Sequence, residues 1–154
     1  MMRTLIALLL LAATASTGWA QGETVLTVRS AGAAQTFSVA DLEKLATVEV
    51  TTTTPWTEGP QTFRGVPATA LIAATGLDGA KTVRAVALND YAVEIPVADF
   101  AAHEVIVAIY HNGQRMRVRD KGPLWIVYPA GASDHAAPEI RDRMIWQLKE
   151  IVAR

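Results

Sequence analysis

No cysteine occurs in the 154 residues of this chain, and this absence constrains the fold more than any motif does. Without disulfides the hydrophobic core alone must stabilise the folded state, which a single domain of ordinary size can do. The absence also excludes a thiolate metal ligand, a cysteine nucleophile and a cysteine-ligated iron–sulfur cluster.

The first twenty residues have the pattern of an export signal. Arg3 supplies a positive charge, an unbroken apolar run extends from residue 5 to 13, and the small residues Gly18 and Ala20 stand at the −3 and −1 positions of a cleavage site. The apolar run is shorter than the roughly 20 residues that span a membrane. We predict a periplasmic protein, cleaved after Ala20, whose single mature domain comprises residues 21–154 and does not insert into the membrane; an uncleaved anchor is the alternative.

Charge and motif content exclude several classes of function. The formal net charge is −1, and no basic stripe is present to follow a phosphate backbone, so we predict no nucleic acid partner. His103, His111 and His135 lack the tight spacing of helical zinc sites, and we interpret them as hydrated surface residues instead of metal ligands. No serine stands in a Gly-x-Ser-x-Gly context. We therefore predict no catalytic residues and no metal site.

Short β-branched runs alternate with capping and turn signals along the chain. Residues 38–41 form a capping box that predicts a short helix, and Asn112-Gly113 predicts a type I′ hairpin turn. Gly65 is interpreted as a turn, and the alternation of residues 144–149 as a closing strand. The sequence therefore predicts an α+β fold with a mixed β-sheet core and short peripheral helices.

Polar and aromatic residues meet at three predicted strand ends. Trp56 follows one strand, the run 89–91 (Asn-Asp-Tyr) stands between two others, and the run 119–121 (Arg-Asp-Lys) precedes the apolar strand 124–128. Turn chemistry and core packing explain each of these residues singly. Strand ends from several elements can also converge on one rim, where a planar heterocycle such as a pterin would stack on the rings.

Four segments in the same order resemble the sulfite-oxidase-type molybdopterin-binding domain, and in particular its short, stand-alone, exported branch: residues 52–66, 88–96, 119–129 and 145–149. The resemblance covers nearly the whole mature chain and implies an α+β fold with mixed sheets and a pocket for a pterin. The ligand-binding residues predicted from it and from the strand-end pattern are Trp56, Asn89, Asp90, Tyr91, Arg119, Lys121, Trp125 and Arg143.

Two departures from the family pattern bear on chemistry. Some of the enzymes carry a metal-binding cysteine four residues before a tryptophan, where this chain has Thr52, and they commonly carry arginine after Pro-Leu, where it has Trp125. A neutral hydroxyl is a poor ligand for a soft metal. The resemblance implies an exported protein that binds a non-metallated pterin rather than molybdopterin and signals through the periplasmic domain of a membrane protein. The alternatives are a molybdopterin-dependent oxidoreductase subunit with a cysteine-free metal site, and a structural subunit with a vestigial pocket.

Overall fold

Two β-sheets form the centre of the protein in the computed structural model, which describes residues 22–154; the predicted signal peptide lies outside them. No helix in this range is long and apolar enough to cross a membrane. In chain order the elements are β1 (Thr24–Ser30), β2 (Ala33–Ser38), α1 (Val39–Leu45), β3 (Val48–Thr52), β4 (Gln61–Pro67), α2 (Ala68–Thr75), β5 (Thr82–Ala87), β6 (Ala92–Pro96), α3 (Val97–Ala102), β7 (Ile106–His111), β8 (Gln114–Arg115), β9 (Trp125–Val127), α4 (Pro138–Arg143) and β10 (Leu148–Ala153).

The first sheet has the order β2-β1-β10-β5-β6. Its central pair, β1 and β10, is parallel, and its other neighbours are antiparallel. In the second sheet β3, β4 and β7 are consecutive, and both β8 and β9 pair antiparallel with β7. The predicted α+β fold with a mixed β-sheet core and short helices is confirmed.

The strand after Gly122-Pro123 lies in the middle of the core. Every residue from Leu124 to Tyr128 is at most 1% exposed, so both faces of this strand are covered. Alternation along a strand directs Trp125 and Tyr128 to opposite faces, and the structure shows that both faces are buried. Tyr128 donates a hydrogen bond from its hydroxyl to Asp99 at 3.0 Å, and burial followed by the charge of Asp99 raises its pKa.

The predicted turn at Gly65 is wrong, because β4 runs straight through this residue. A Cβ at position 65 would overlap the carbonyl of Val107 and lie 2.7 Å from the Cα of Ala108. Glycine is required here for the close approach of β7, beside a register shift between Arg64 and Gly65. The predicted hairpin at Asn112-Gly113 is confirmed, with φ values of 49° and 77°.

The closing strand also differs from the prediction. It begins at Leu148 and ends at Ala153, whereas residues 144–147 cross from one sheet to the other. Ile126 N donates to Ile145 O at 2.9 Å, and Leu148 N donates to Leu124 O at 3.0 Å. Gln147 has a φ of 52°, which interrupts regular strand geometry. The crossing brings Trp146 to the edge of the sheets.

The capping box of α1 makes stability depend on pH. Ser38 Oγ accepts from Asp41 N at 3.2 Å, and the Asp41 carboxylate accepts from Ser38 Oγ at 2.6 Å and Ser38 N at 3.1 Å. The hydrogen bonds from the side chain and then the backbone of Ser38 lower the pKa of Asp41 from 3.8 to about 2. Because the pKa of Asp41 is lower in the folded state than in the unfolded state, the carboxylate stabilises the fold at pH values above the unfolded-state pKa. This stabilisation is lost as the pH falls through the folded-state pKa.

We expect Ser38→Ala to lower the free energy of unfolding by about 1 kcal/mol at neutral pH. Because Asp41 becomes protonated, the difference from wild type should shrink as pH falls from about 4 to about 2. Thermal unfolding at several pH values measures this, with Thr69→Ala as the control, since Thr69 is an exposed helical residue of α2. A Ser38→Ala effect of equal size at both ends of this range would contradict the prediction.

Candidate functional site

Trp56 is held in a tight turn after β3. Trp56 N donates to Thr54 Oγ1 at 3.2 Å, Thr54 Oγ1 lies 2.9 Å from Thr57 Oγ1, and Thr57 N donates to Thr54 O at 3.3 Å. Serine and threonine form such turns by bonding the backbone two residues onward. The half-buried indole of Trp56 is thereby held in a turn and packs against the core.

Three tryptophans from distant parts of the chain pack edge to face; we call them the tryptophan cluster. The ring centroid of Trp56 lies 5.0 Å from that of Trp146 and 6.2 Å from that of Trp125, and Trp125 and Trp146 are also 6.2 Å apart. Lys121 Nζ stands 5.4 Å from the Trp146 ring and 5.8 Å from the Trp125 ring. These distances are those of aromatic pairs and cation–π contacts, which fix the ring orientations.

A cleft of about 330 Å³ opens beside this cluster, and we call it the aromatic cleft. Its volume lies at the lower end of the range for small-molecule sites. Its aromatic walls are Trp56, Tyr91 and Trp146, and its polar groups are Asn89, Arg141 and Asp142; Ala87, Met144 and Ile145 complete the lining. Ring faces with a few polar groups suit a flat heterocycle of about two fused rings.

The polar groups of the cleft retain free hydrogen-bonding capacity. Asn89 Oδ1 accepts from Tyr91 N at 3.2 Å, which leaves its amide N–H groups available. Tyr91 donates from its hydroxyl to Asp142 O at 3.4 Å, and burial followed by the charge of Asp142 raises the Tyr91 pKa. Within residues 22–154, neither the carboxylate of Asp142 nor the guanidinium of Arg141 forms an ion pair. The cleft therefore offers an acceptor, an amide donor and a cation.

The structure brings Trp56, Asn89 and Tyr91 together in this cleft, but it does not bring Asp90 or Trp125 to its surface. Asp90, at φ 66°, points out to Lys149, whose Nζ lies 2.6 Å from Asp90 Oδ1. This hydrogen bond lowers the pKa of Asp90. Trp125 is 1% exposed and donates from Nε1 to Met144 O at 3.1 Å. It supports the cleft from below and presents no free ring face to a ligand.

The three cationic residues predicted to bind the ligand also lie outside the cleft lining. Arg119 is exposed in a 3₁₀ turn, 3.9 Å from the Asp120 carboxylate. Arg143 Nη1 contacts Asp99 Oδ2 at 2.8 Å in a largely buried ion pair. Lys121 contacts the rings of Trp125 and Trp146 but does not line the cleft. The resemblance and the strand-end pattern predicted these three positions, whereas packing keeps their side chains out of the cleft lining.

Six lining residues were not predicted as ligand-binding residues, and three of them carry a charge or an aromatic ring: Arg141, Asp142 and Trp146. The charged run 141–143, which ends three residues before Trp146, is the signal that the sequence offers. The alternation of residues 144–149 predicts a strand there, whereas residues 144–147 form the crossing segment.

Thr52 occupies the position that the resemblance assigns to a metal-binding cysteine. Its side chain is buried; Oγ1 accepts from Ala130 N at 2.8 Å and donates to Thr53 O at 3.2 Å. The hydroxyl is thus used to join β3 to the segment after β9. A neutral hydroxyl that is already hydrogen-bonded on both sides is a poor metal ligand, so the residue at this position does not fit a protein-ligated molybdenum.

The histidines are anchored in the fold, which corrects their interpretation as hydrated surface residues. His103 Nδ1 lies 2.9 Å from Ala132 O, and His135 Nε2 lies 2.7 Å from Tyr128 O. His111 stacks on Phe63 with centroids 4.8 Å apart, and burial followed by the charge of Lys121 lowers its pKa. Within residues 22–154, no group of three or more histidines and carboxylates is arranged to hold a metal ion.

Comparisons with known proteins agree with this architecture. Residues 25–135 match the model of the oxidoreductase molybdopterin binding domain, while no curated protein matches the sequence. The fold is similar to the crystal structure of the sulfane dehydrogenase SoxCD from Paracoccus pantotrophus, with a TM-score of 0.67 and 16% identity over 88% of this chain. The chain spans 39% of that chain. At this identity the likeness shows the fold alone.

Proposed function

Because this chain belongs to the family of the oxidoreductase molybdopterin binding domain, we propose that it binds a free pterin in the aromatic cleft. The observation that carries the proposal is that two indoles, Trp56 and Trp146, line the same cleft as the polar groups of Asn89, Arg141 and Asp142. A pterin has two flat fused rings for the aromatic walls. Its amino-pyrimidinone edge presents N–H donors beside a carbonyl acceptor, and the cleft offers partners for both.

The polar edge of a pterin has a natural partner in Asp142. A carboxylate can accept from two adjacent N–H groups, and Arg141 can donate to the ring carbonyl. The amide N–H groups of Asn89 can donate to a ring nitrogen. In this arrangement Asp142, and not the predicted ligand-binding residue Asp90, accepts from the pterin edge, because Asp90 is directed away toward Lys149.

We propose that the bound pterin carries no molybdenum held by the protein. The chain contains no cysteine, and the hydroxyl of Thr52 is already bonded on both sides. A pterin without a metal also needs no dense cluster of cations for a dithiolene and pyrophosphate. Arg143, one of the predicted cations, is engaged with Asp99.

Mass spectrometry of ligand released from natively purified protein tests the proposal most directly. We expect a pterin in the released fraction and only trace molybdenum by elemental analysis of protein from a host that makes molybdopterin. Near-stoichiometric molybdenum would support the oxidoreductase alternative and exclude the non-metallated ligand. If no pterin is released and none raises the melting temperature, the cleft is vestigial.

The residue assignment leads to a prediction about affinity. We expect Trp56→Ala to weaken pterin binding by about 1–3 kcal/mol, as truncation of other base-stacking rings does, because one wall of the cleft is lost. Asp142→Asn should also weaken binding, since an amide cannot accept from both N–H groups. Isothermal titration calorimetry with wild type as reference measures both effects.

Asp90→Asn is the matched control for Asp142→Asn, since the two carboxylates lie on neighbouring elements and only one lines the cleft. We expect Asp90→Asn to bind pterin like wild type. The assignment would be wrong if Asp90→Asn lost affinity while Asp142→Asn retained it.

We further propose that the protein is exported to the periplasm and reports pterin binding to the periplasmic domain of a membrane protein. The export-type N-terminus supports the first part, and the absence of metal ligands supports a binding role over catalysis. Edman sequencing that starts at Gln21 would support cleavage after Ala20. Pull-downs from solubilised membranes, with and without added pterin, test ligand-dependent association; equal recovery of every partner in both would exclude it.

A further inference from the structure

A second groove, of about 670 Å³, lies on the other side of the turn between β5 and β6. One wall is the start of β1 (residues 23–27), and the other is the segment 115–118 after β7; Leu88 and Lys149 border it. It shares no lining residue with the aromatic cleft, and its lining contains no tryptophan or tyrosine. We call it the basic groove.

Exposed apolar side chains are concentrated at this groove. In the described part of the chain, three large hydrophobic residues are exposed, Leu88 (43%), Tyr91 (48%) and Val118 (53%). Leu88 and Val118 both line the basic groove, and Tyr91 stands at the other side of the same turn. Contiguous exposed apolar residues rimmed by charge are typical of interaction surfaces.

Gln147 holds the two apolar residues in place. Its carbonyl oxygen accepts from Leu88 N at 2.8 Å, its side-chain amide donates to Val118 O at 2.8 Å, and its own N–H donates to Lys121 O at 3.0 Å. The backbone at both apolar residues is therefore held by one residue, so less backbone has to be ordered on binding. Such preorganisation reduces the entropic cost of association.

The charge of the groove is uneven. The rim segment 115–120 contains three arginines and one aspartate, and that aspartate, Asp120, lies 2.8 Å from Arg117. Arg115 is exposed and has no ion pair within residues 22–154. Glu23 and Glu150 stand on the opposite wall, and Glu150 is paired with Arg29 at 2.6 Å. The rim with Val118 thus presents excess positive charge beside an apolar surface.

We propose that the basic groove binds an extended segment of a partner protein that carries an apolar side chain flanked by carboxylates. The apolar residue would cover Leu88 and Val118, and the carboxylates would face Arg115 and Arg117, which steer and orient such a segment. A concave groove with Glu23 on its far wall disfavours a flat anionic bilayer. This surface stands independently of the proposed pterin binding, because the two sites have separate linings.

Photo-crosslinking in cells that make the full chain tests the proposal. Val118→p-benzoylphenylalanine places the probe in the groove, and Ala73→p-benzoylphenylalanine, at an exposed position of α2, is the control. We expect the probe at position 118 to capture a segment of another protein that contains both acidic and apolar residues, as read by mass spectrometry. Arg115→Glu should reduce this adduct about tenfold, whereas Arg84→Glu, an exposed charge reversal on β5, should not.

Several results would overturn the proposal. The proposal is wrong if the probe captures only lipid, a second copy of this chain or a segment that lacks acidic residues. It is also wrong if position 118 gives no more adduct than the Ala73 control, or if Arg115→Glu leaves the amount of adduct unchanged. Pterin titration of the Arg115→Glu protein distinguishes a failure of the groove proposal from a failure of the proposed pterin binding. Unchanged pterin affinity with a lost adduct supports two distinct sites.

Discussion

Replacing Trp125 with alanine is expected to lower the free energy of unfolding by about 3–5 kcal/mol, the range for large aromatic residues in a packed core. Trp125 is 1% exposed, contacts Phe63 with ring centroids 5.3 Å apart, and donates a hydrogen bond to Met144 O. The substitution would leave a cavity beneath the aromatic cleft and an unpaired carbonyl. Both effects act on the folded state whether or not a ligand is present.

Urea unfolding of the ligand-free protein measures this loss, with Trp56→Ala as the matched control. Trp56 is half-buried and its turn is held by threonine hydroxyls, so its truncation should cost less stability while weakening pterin binding more. If Trp125→Ala instead kept wild-type stability and lost only ligand affinity, Trp125 would be the cleft wall that the sequence predicted.

The second large effect is expected at Gly65, where alanine should destabilise the protein by about 3 kcal/mol or more, the upper part of the range for overpacking. The added methyl group would meet the backbone of Val107 and Ala108 on β7, not a flexible side chain that can move away. Relief requires β4 and β7 to separate, and this pair lies at the centre of the second sheet.

Gly79→Ala is the control for Gly65→Ala. No heavy atom would lie within 4 Å of the added Cβ at position 79, and replacing an unconstrained glycine reduces the entropy of the unfolded chain. We expect this variant to be neutral or slightly stabilised. Differential scanning calorimetry of the two variants compares them directly. Similar melting temperatures would show that the strands at Gly65 have room to adjust.

Local signals in the sequence predicted most of the elements. The capping box at residues 38–41 and the hairpin at Asn112-Gly113 depend on backbone geometry within four or five residues. Such geometry is encoded where it occurs, so the predictions agree with the structure. The prediction failed at Gly65 because a close approach between strands distant in sequence requires glycine just as a turn does.

Local signals in the sequence also predicted part of the candidate site. Trp56 follows a strand of the second sheet, whereas Asn89 and Tyr91 stand between two strands of the first sheet. Local signals predict each of them as a strand-end residue, and the packing of the two sheets brings them to one cleft. Asp90 and Asp142 cannot be told apart in this way, since each is a carboxylate near a turn. Lys149, 59 residues from Asp90 along the chain, decides that Asp90 turns away.

The sequence by itself determined the chemistry available to this protein: no thiolate, an export-type N-terminus, and aromatic and polar residues at strand ends. Only the tertiary structure decided which of those residues face a common cleft. The crossing segment 144–147 covers the ring of Trp125. This contact decides that Trp125 lies beneath the cleft and does not form one of its walls. That contact joins residues about 20 positions apart and two separate sheets, so it arises from packing of the whole chain and no local pattern contains it.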